Sequence, residues 1–142
     1  MSSKPSTDQV LVEIQRICVT QARELINSGY DHQALTSLVL GMEWFGSILD
    51  GKPTGAKNQS RKRFELTLAK LPARYLEVHQ KVNLYKQLRN RAIHNPWIEN
   101  KWLAFTEDNS VHLELKSETV QFSMHKLVDD LNQVINQYTD KS

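Results

Sequence analysis

Long runs of apolar residues at helical spacing are the feature that most constrains the fold of this chain. Residues three and four apart lie on one face of an α-helix, so each run predicts a helix with a buried stripe. Proline and glycine separate the runs, and Ser, Thr or Asp stands where a helix can begin. The predicted helices run from Thr7 or Asp8 to Gly29, from Asp31 to Leu49, from Ser60 to Leu71, from Tyr75 to His94 and from Ser123 to Tyr138.

The pattern changes between Pro96 and the last predicted helix. Apolar residues at 102–105 and 111–115 flank the turn-like stretch 107–110, which predicts a β-hairpin, and 119–122 can add a third strand. We therefore expect a mainly α fold. It is a bundle of about four to five helices, with a small antiparallel β-hairpin or three-stranded appendage at 101–122 before the last helix.

Length and composition indicate one domain over residues 1–142, with a polar tail at 1–7. The tail lacks the apolar stretch of a secretory signal, so we expect a cytoplasmic protein. The most apolar segment, 34–49, carries Glu43 and is shorter than the about 20 residues of a membrane span, so no membrane association is expected. The formal net charge of +2 is too small to indicate a polyanionic partner. Cys18, the single cysteine, is expected to pack between helices.

The second predicted helix has three unusual residues. Gly41 and Gly46 weaken a helix intrinsically, so their presence indicates close approach of a neighbouring backbone. Glu43 lies among apolar residues, where a carboxylate needs a partner. Glu43 therefore either forms an ion pair with an arginine such as Arg89 or Arg91, or acts as a catalytic acid.

Polar side chains gather at the end of the fourth predicted helix. Leu84 to Pro96 contains cations, amides and an imidazole: Lys86, Arg89, Asn90, Arg91, His94 and Asn95. Asn90 and His94 are four apart and share a face, whereas Arg89 points about 140° away from His94 and must reach around. Arginine binds phosphate oxygens through two N–H groups, asparagine orients the phosphodiester, and neutral histidine accepts a proton. The set suits a phosphodiester, although basic residues in a last helical turn are also commonplace in structural roles.

This run resembles a known motif. Leu84-Tyr85-x-x-Leu88-Arg89-Asn90-x-x-x-His94 is similar to the Arg-x(4–6)-His motif of the HEPN superfamily. The order of helices over about residues 8–138 is also similar, and the resemblance extends more loosely to residues 41–46.

The resemblance implies an α-helical bundle that often dimerises. Many HEPN domains are metal-independent endoribonucleases of toxin–antitoxin, phage-defence or RNA-processing systems, and others have lost activity. By this resemblance His94 activates the ribose 2′-hydroxyl, Arg89 stabilises the phosphorane charge and Asn90 positions the pair. RNA, a second copy of the chain and an antitoxin or other protein are the implied partners. The appendage at 101–122 is not part of the minimal bundle.

Other candidate contacts with RNA lie outside the motif. Lys86 and Arg91 flank it, and Lys62 and Arg63 belong to a basic stretch between Gly51 and Arg63, which is either an RNA-binding surface or a solvated loop and helix start. The aromatic rings of Trp97 and Trp102 either stack on bases or pack on the bundle. The remaining histidines, His32, His79, His112 and His125, have no ligand spacing, so we expect no metal and no cofactor.

Two functions follow from the sequence. One is a metal-independent endoribonuclease that cleaves single-stranded RNA with His94 as general base and Arg89 as phosphate binder. The other is a non-catalytic HEPN-like module that binds RNA, a nucleotide or a protein.

Overall fold

The computed structural model describes residues 6–53, 58–93 and 102–139. Its first helical stretch comprises α1 (Thr7–Gln15), a π-helical segment (Arg16–Gln21) and α2 (Ala22–Asn27). Ser6 caps α1, because its side chain accepts a hydrogen bond from the Gln9 N–H while the Gln9 side chain accepts from the Ser6 N–H. The cap is therefore Ser6 and not the predicted Thr7 or Asp8. The stretch stops before Gly29, whose φ of 83° favours glycine, as predicted.

The central helix, α3 (Asp31–Asp50), packs against most of the other helices. Its two interior glycines lie where neighbours approach closely. A Cβ at Gly46 would collide with the Arg63 backbone, and one at Gly41 would collide with the Cys18 Sγ. The predicted close approach of a neighbouring backbone is therefore confirmed at Gly46, whereas at Gly41 the neighbour is a buried side chain. Burial raises the pKa of the Cys18 thiol to about 12, which fits its predicted packing role.

Three shorter helices follow: α4 (Ser60–Lys70), α5 (Arg74–Val82) and α6 (Leu84–Ile93). The predicted break near Leu71 is present, since α4 ends one residue before Leu71 and Pro72 follows. The single helix predicted from Tyr75 to His94 is wrong. Asn83 has a left-handed backbone conformation, with φ of 52°, and separates α5 from α6.

A three-stranded sheet precedes the last helix, with strands β1 (Leu103–Phe105), β2 (Leu115–Lys116) and β3 (Thr119–Phe122) in the order β1-β3-β2. Strand β3 pairs parallel with β1 and antiparallel with β2. The hairpin turn is therefore at Ser117, whose φ is 57°, and not at 107–110, where a short 3-10 helix (Asn109–Val111) begins. The prediction of a mainly α fold with a three-stranded appendage is confirmed, and the strand pairing is mixed.

A buried polar chain joins the sheet region to the helices. The Ser123 N–H donates to His112 Nδ1 at 2.9 Å, so Nε2 carries the proton and donates to the Tyr75 hydroxyl at 2.8 Å. Tyr75 in turn donates to Asp130 Oδ2 at 2.7 Å, and Lys126 lies 3.1 Å from the other oxygen of that carboxylate. Burial and the bond to Asp130 raise the pKa of Tyr75.

The last helix, α7 (Met124–Thr139), returns across the first helical stretch. The Ser123 hydroxyl accepts from the Lys126 N–H at 3.2 Å and caps α7, as predicted. Within the described ranges, every helix is too short or too polar to cross a lipid bilayer.

Candidate functional site

Helix α6 carries the motif residues, and its ends and buried stripe fix their directions. The Asn83 side chain accepts a hydrogen bond from the Lys86 N–H at 3.2 Å, which satisfies one free donor of the first turn. Leu84, Leu88 and Ala92 are buried, so this stripe holds α6 against the bundle. On the opposite face, Lys86 is exposed, and Asn90 follows it by four residues.

Arg89 lies on the flank of α6 that faces α3. Its Nη1 donates to the Tyr85 hydroxyl at 2.6 Å and lies 3.6 Å from Glu43 Oε1. The guanidinium also lies over the Tyr85 ring, 5.8 Å from its centroid. The Arg89 side chain is 46% exposed and that of Glu43 is 15% exposed. The predicted ion pair of Glu43 with an arginine of this helix is therefore present, and it involves Arg89.

The other motif positions are only partly described. Asn90 is half-buried, and the imidazole of His94, predicted as general base, lies outside the described residues. Trp97 lies outside them as well. The structure therefore brings together Arg89, Glu43 and Tyr85.

The predicted RNA-contacting cations have different environments. Lys86 and Lys62 are exposed. Arg91 turns to the sheet and lies over the Phe105 ring, 4.9 Å from its centroid.

Arg63 belongs to the interior, because its side chain is 6% exposed and its Nε lies 2.8 Å from Asp50 Oδ2. It also donates to the backbone carbonyls of Lys52 and Pro53. Burial alone would raise the pKa of Asp50, but hydrogen bonds from Arg63 and the Lys52 N–H hold it below its usual range. This position argues against Arg63 as an RNA contact.

A cleft of about 580 Å³ opens where α5 meets α6, opposite the start of α4. We call it the α5–α6 cleft. It is lined by cationic, amide, acidic and aromatic side chains that include Arg61, Glu65, His79, Gln80, Lys81, Asn83, Lys86, Gln87 and Trp102. On one wall, His79 Nε2 lies 2.8 Å from Glu65 Oε2, and Glu65 Oε1 lies 3.7 Å from Arg61.

The sequence patterns did not predict this cleft. In one continuous helix, Lys81 and Lys86 would point about 140° apart. The left-handed Asn83 interrupts the helix between them, and both lysines then line one cleft. The asparagine itself was the available signal, because Asn tolerates the left-handed region better than other non-glycine residues.

Across residues 6–53, 58–93 and 102–139, histidine, cysteine and acidic side chains form no cluster of three that could hold a metal ion. His79 and His112 instead hydrogen-bond to Glu65 and Tyr75, respectively.

Comparison with known proteins gives one match among curated sequences. No family model matches the chain, and no solved structure matches it. The DNA replication and repair protein RecF of Rickettsia bellii is 25% identical over 136 residues, which covers 92% of this chain and 37% of RecF. The chain thus spans well under half the length of this curated relative.

Proposed function

We propose that this chain is a HEPN-like, metal-independent endoribonuclease that cleaves single-stranded RNA. His94 acts as general base, Arg89 binds the phosphate and Asn90 positions the reacting groups. The proposal rests on the resemblance of Arg89-Asn90-x-x-x-His94 to the HEPN motif. Arg89 supplies the structural support, because its exposed guanidinium is oriented by Tyr85 and Glu43 before any ligand arrives.

The reaction needs only proton transfer and charge stabilisation. Neutral His94 removes the proton of a ribose 2′-hydroxyl, and the 2′-oxygen attacks the adjacent phosphorus. Arg89 donates N–H groups to the phosphate oxygens as negative charge grows in the transition state. The bond from phosphorus to the 5′-oxygen breaks and that oxygen takes up a proton. The products are a 2′,3′-cyclic phosphate and a 5′-hydroxyl end.

We also propose an oligomeric state, a protein partner and a cellular location for this enzyme. A homodimer would place two motif copies near each other, and an antitoxin or other protein partner would control the activity. We place the protein in the cytoplasm.

The test is incubation of the purified chain with mixed-sequence single-stranded RNA in the presence of a chelator, followed by end-group analysis. We expect cyclic phosphate ends from the wild type and none from His94→Ala. Arg89→Ala should slow cleavage by about 100-fold, as for loss of one transition-state donor. His125→Ala, a histidine at the start of α7, is the matched control and should cut normally. Intact RNA with the wild type, or equal cutting by His94→Ala, would refute the proposal.

A non-catalytic module is the alternative, and the Arg89–Glu43 pair is the observation that favours it. An arginine held 3.6 Å from a mostly buried carboxylate has a sufficient structural reason to be present. RecF is described as a DNA replication and repair protein, so single-stranded DNA belongs beside RNA in the binding assays of this alternative. Binding without cleavage would favour the module over the enzyme.

A further inference from the structure

The α5–α6 cleft has the size and charge of a site for a phosphate-bearing ligand. Its volume of about 580 Å³ falls within the about 300–1,000 Å³ of small-molecule sites. Its charged lining comprises Arg61, Lys81 and Lys86 against the single carboxylate of Glu65. A neighbouring cleft between 50 and 66 has balanced charges, and one beside Phe105 is acidic. Of these three clefts, the α5–α6 cleft therefore has the largest excess of positive charge.

Contacts within the wall leave two of these cations available. Glu65 is occupied by Arg61 at 3.7 Å and by His79 at 2.8 Å. The buried His79 is also 3.5 Å from the Tyr85 N–H through Nδ1, so both ring nitrogens have partners. In the part of the chain that the structure describes, Lys81 and Lys86 form no ion pair. They are the cations that an anion in the cleft can engage.

The remaining lining suits a nucleobase. Trp102 is half-buried and lies on the cleft, where an aromatic ring can stack on a base of any sequence. The side-chain amide of Gln80 presents a donor and an acceptor to the cleft, and the Asn83 amide presents its NH2 donors, because its oxygen accepts from the Lys86 N–H; these groups can bond the polar edge of a base. Phosphate-binding cations and a stacking ring in one cleft are the two components of single-strand recognition.

The cleft adjoins the motif along α6. Lys86 precedes Arg89 and Asn90 by three and four residues, so the side chains are neighbours on the helix surface. If the phosphate to be cleaved in a single-stranded RNA lies at Arg89, the RNA can therefore extend past Lys86 into the cleft.

From this juxtaposition we propose that the α5–α6 cleft binds one nucleotide of single-stranded RNA. Lys81 and Lys86 each bind one of the two phosphates that flank this nucleotide, and its base stacks on Trp102. The nucleotide flanks the one that is cut. The identity of the ligand as RNA rests on the function proposed above, whereas the binding residues are independent of the motif.

The test is binding of a fluorescein-labelled, mixed-sequence RNA oligonucleotide with 2′-O-methyl riboses, followed by anisotropy at several salt concentrations. Methylation removes the attacking hydroxyl, so binding is measured without cleavage. The double variant Lys81→Ala/Lys86→Ala should bind about 20-fold more weakly near 0.1 M salt. Its slope of log affinity against log salt should fall by about 1.4, the value for two lost phosphate contacts on a single strand. Trp102→Leu should weaken binding about tenfold and leave the slope unchanged.

The matched control is Lys70→Ala/Lys116→Ala, which removes the same charge from the end of α4 and from β2. It should bind as the wild type does. Equal affinity and slope in the two double variants, or no binding of the oligonucleotide by the wild type, would overturn the proposal. Cleavage of unmodified RNA is measured in parallel. If the wild type binds RNA through the cleft but does not cleave it, the proposed endoribonuclease activity is wrong, whereas the proposed binding site in the cleft stands.

Discussion

Lys62 and Arg63 are adjacent cations with opposite environments. Lys62 is exposed, whereas Arg63 is buried beside Asp50 and anchors the end of α3 to the start of α4. A basic run indicates a charged surface, but helical phase decides which members reach it. Arg63 precedes the buried Thr67 by four residues and therefore shares its face.

His112 is a partly buried residue whose ionisation affects stability. The pKa of His112 is lowered to about 4, from 6.5 for a free imidazole, chiefly by burial; Asp130 opposes the shift, and the nearby Lys126 adds to it. A second proton would have to enter at Nδ1, against the Ser123 N–H that donates to this nitrogen. Protonation of His112 is therefore incompatible with the hydrogen bond that the Ser123 N–H donates to it.

We expect the folded state to lose stability as the pH falls from about 6.5 to about 4. In this window the unfolded chain binds a proton at position 112 and the folded chain does not, so stability rises with pH. Above the pKa of this imidazole in the unfolded chain, about 6.5, the stabilising contribution of neutral His112 is fully present. Because the imidazole is partly exposed, we expect a loss of about 2 kcal/mol, less than the full shift implies.

Urea unfolding at a series of pH values measures this loss. His112→Gln keeps a side-chain donor toward Tyr75 but cannot titrate, so its curve should be flatter between these pH values. Other acids titrate in both proteins and cancel in the difference. Parallel curves for wild type and variant would show that His112 does not carry the effect.

At the scale of elements, the contact between α3 and α4 depends on Gly46. The α4 backbone at Arg63 occupies the space that a Cβ at Gly46 would need. Backbone atoms cannot move aside as a flexible side chain can, so the two helices would have to separate.

Gly46→Ala should therefore destabilise the fold by about 3 kcal/mol, despite the better helix propensity of alanine. The control is Gly29→Ala, where a Cβ meets open space and the cost is only that of the positive φ, about 1 kcal/mol. Thermal or urea unfolding compares the two variants. A smaller loss at Gly46 than at Gly29 would mean that α4 adjusts freely.

The helices were predictable because apolar periodicity is local, and the caps and breaks at Gly29, Pro72 and Ser123 are local as well. The division at Asn83 was missed, since the apolar spacing continues through it from α5 into α6. Strand pairing was missed for another reason. Strands of two to four residues carry little pattern, and the parallel pairing of β1 with β3 depends on contacts between distant segments.

The candidate site was predictable in part. The pairing of Glu43 followed from a carboxylate on an apolar helix, and Arg89 was one of two arginines in reach. The α5–α6 cleft was not predictable, because it depends on the relative placement of α4, α5, α6 and Trp102. No periodicity within one helix encodes that placement.

For the whole molecule, the resemblance predicts a homodimer, and α3 offers a place for the contact. Leu40 is 40% exposed and lies three residues before Glu43 and four before the half-buried Trp44. These three share one helix face, and Glu43 contacts Arg89. An interface centred on Leu40 would therefore bring two candidate sites together.

We expect the wild type to be a dimer at micromolar concentration and Leu40→Asp to be a monomer, because a carboxylate buried at an apolar contact lacks a partner. Val12→Asp is the control, since Val12 is 62% exposed but lies on α1. Size-exclusion chromatography with light scattering gives the masses over a range of concentrations. RNA cleavage by Leu40→Asp should fall with the loss of the dimer if the two sites act together. A wild type that stays monomeric at every concentration would contradict the dimer, and a dimeric Leu40→Asp would place the interface elsewhere.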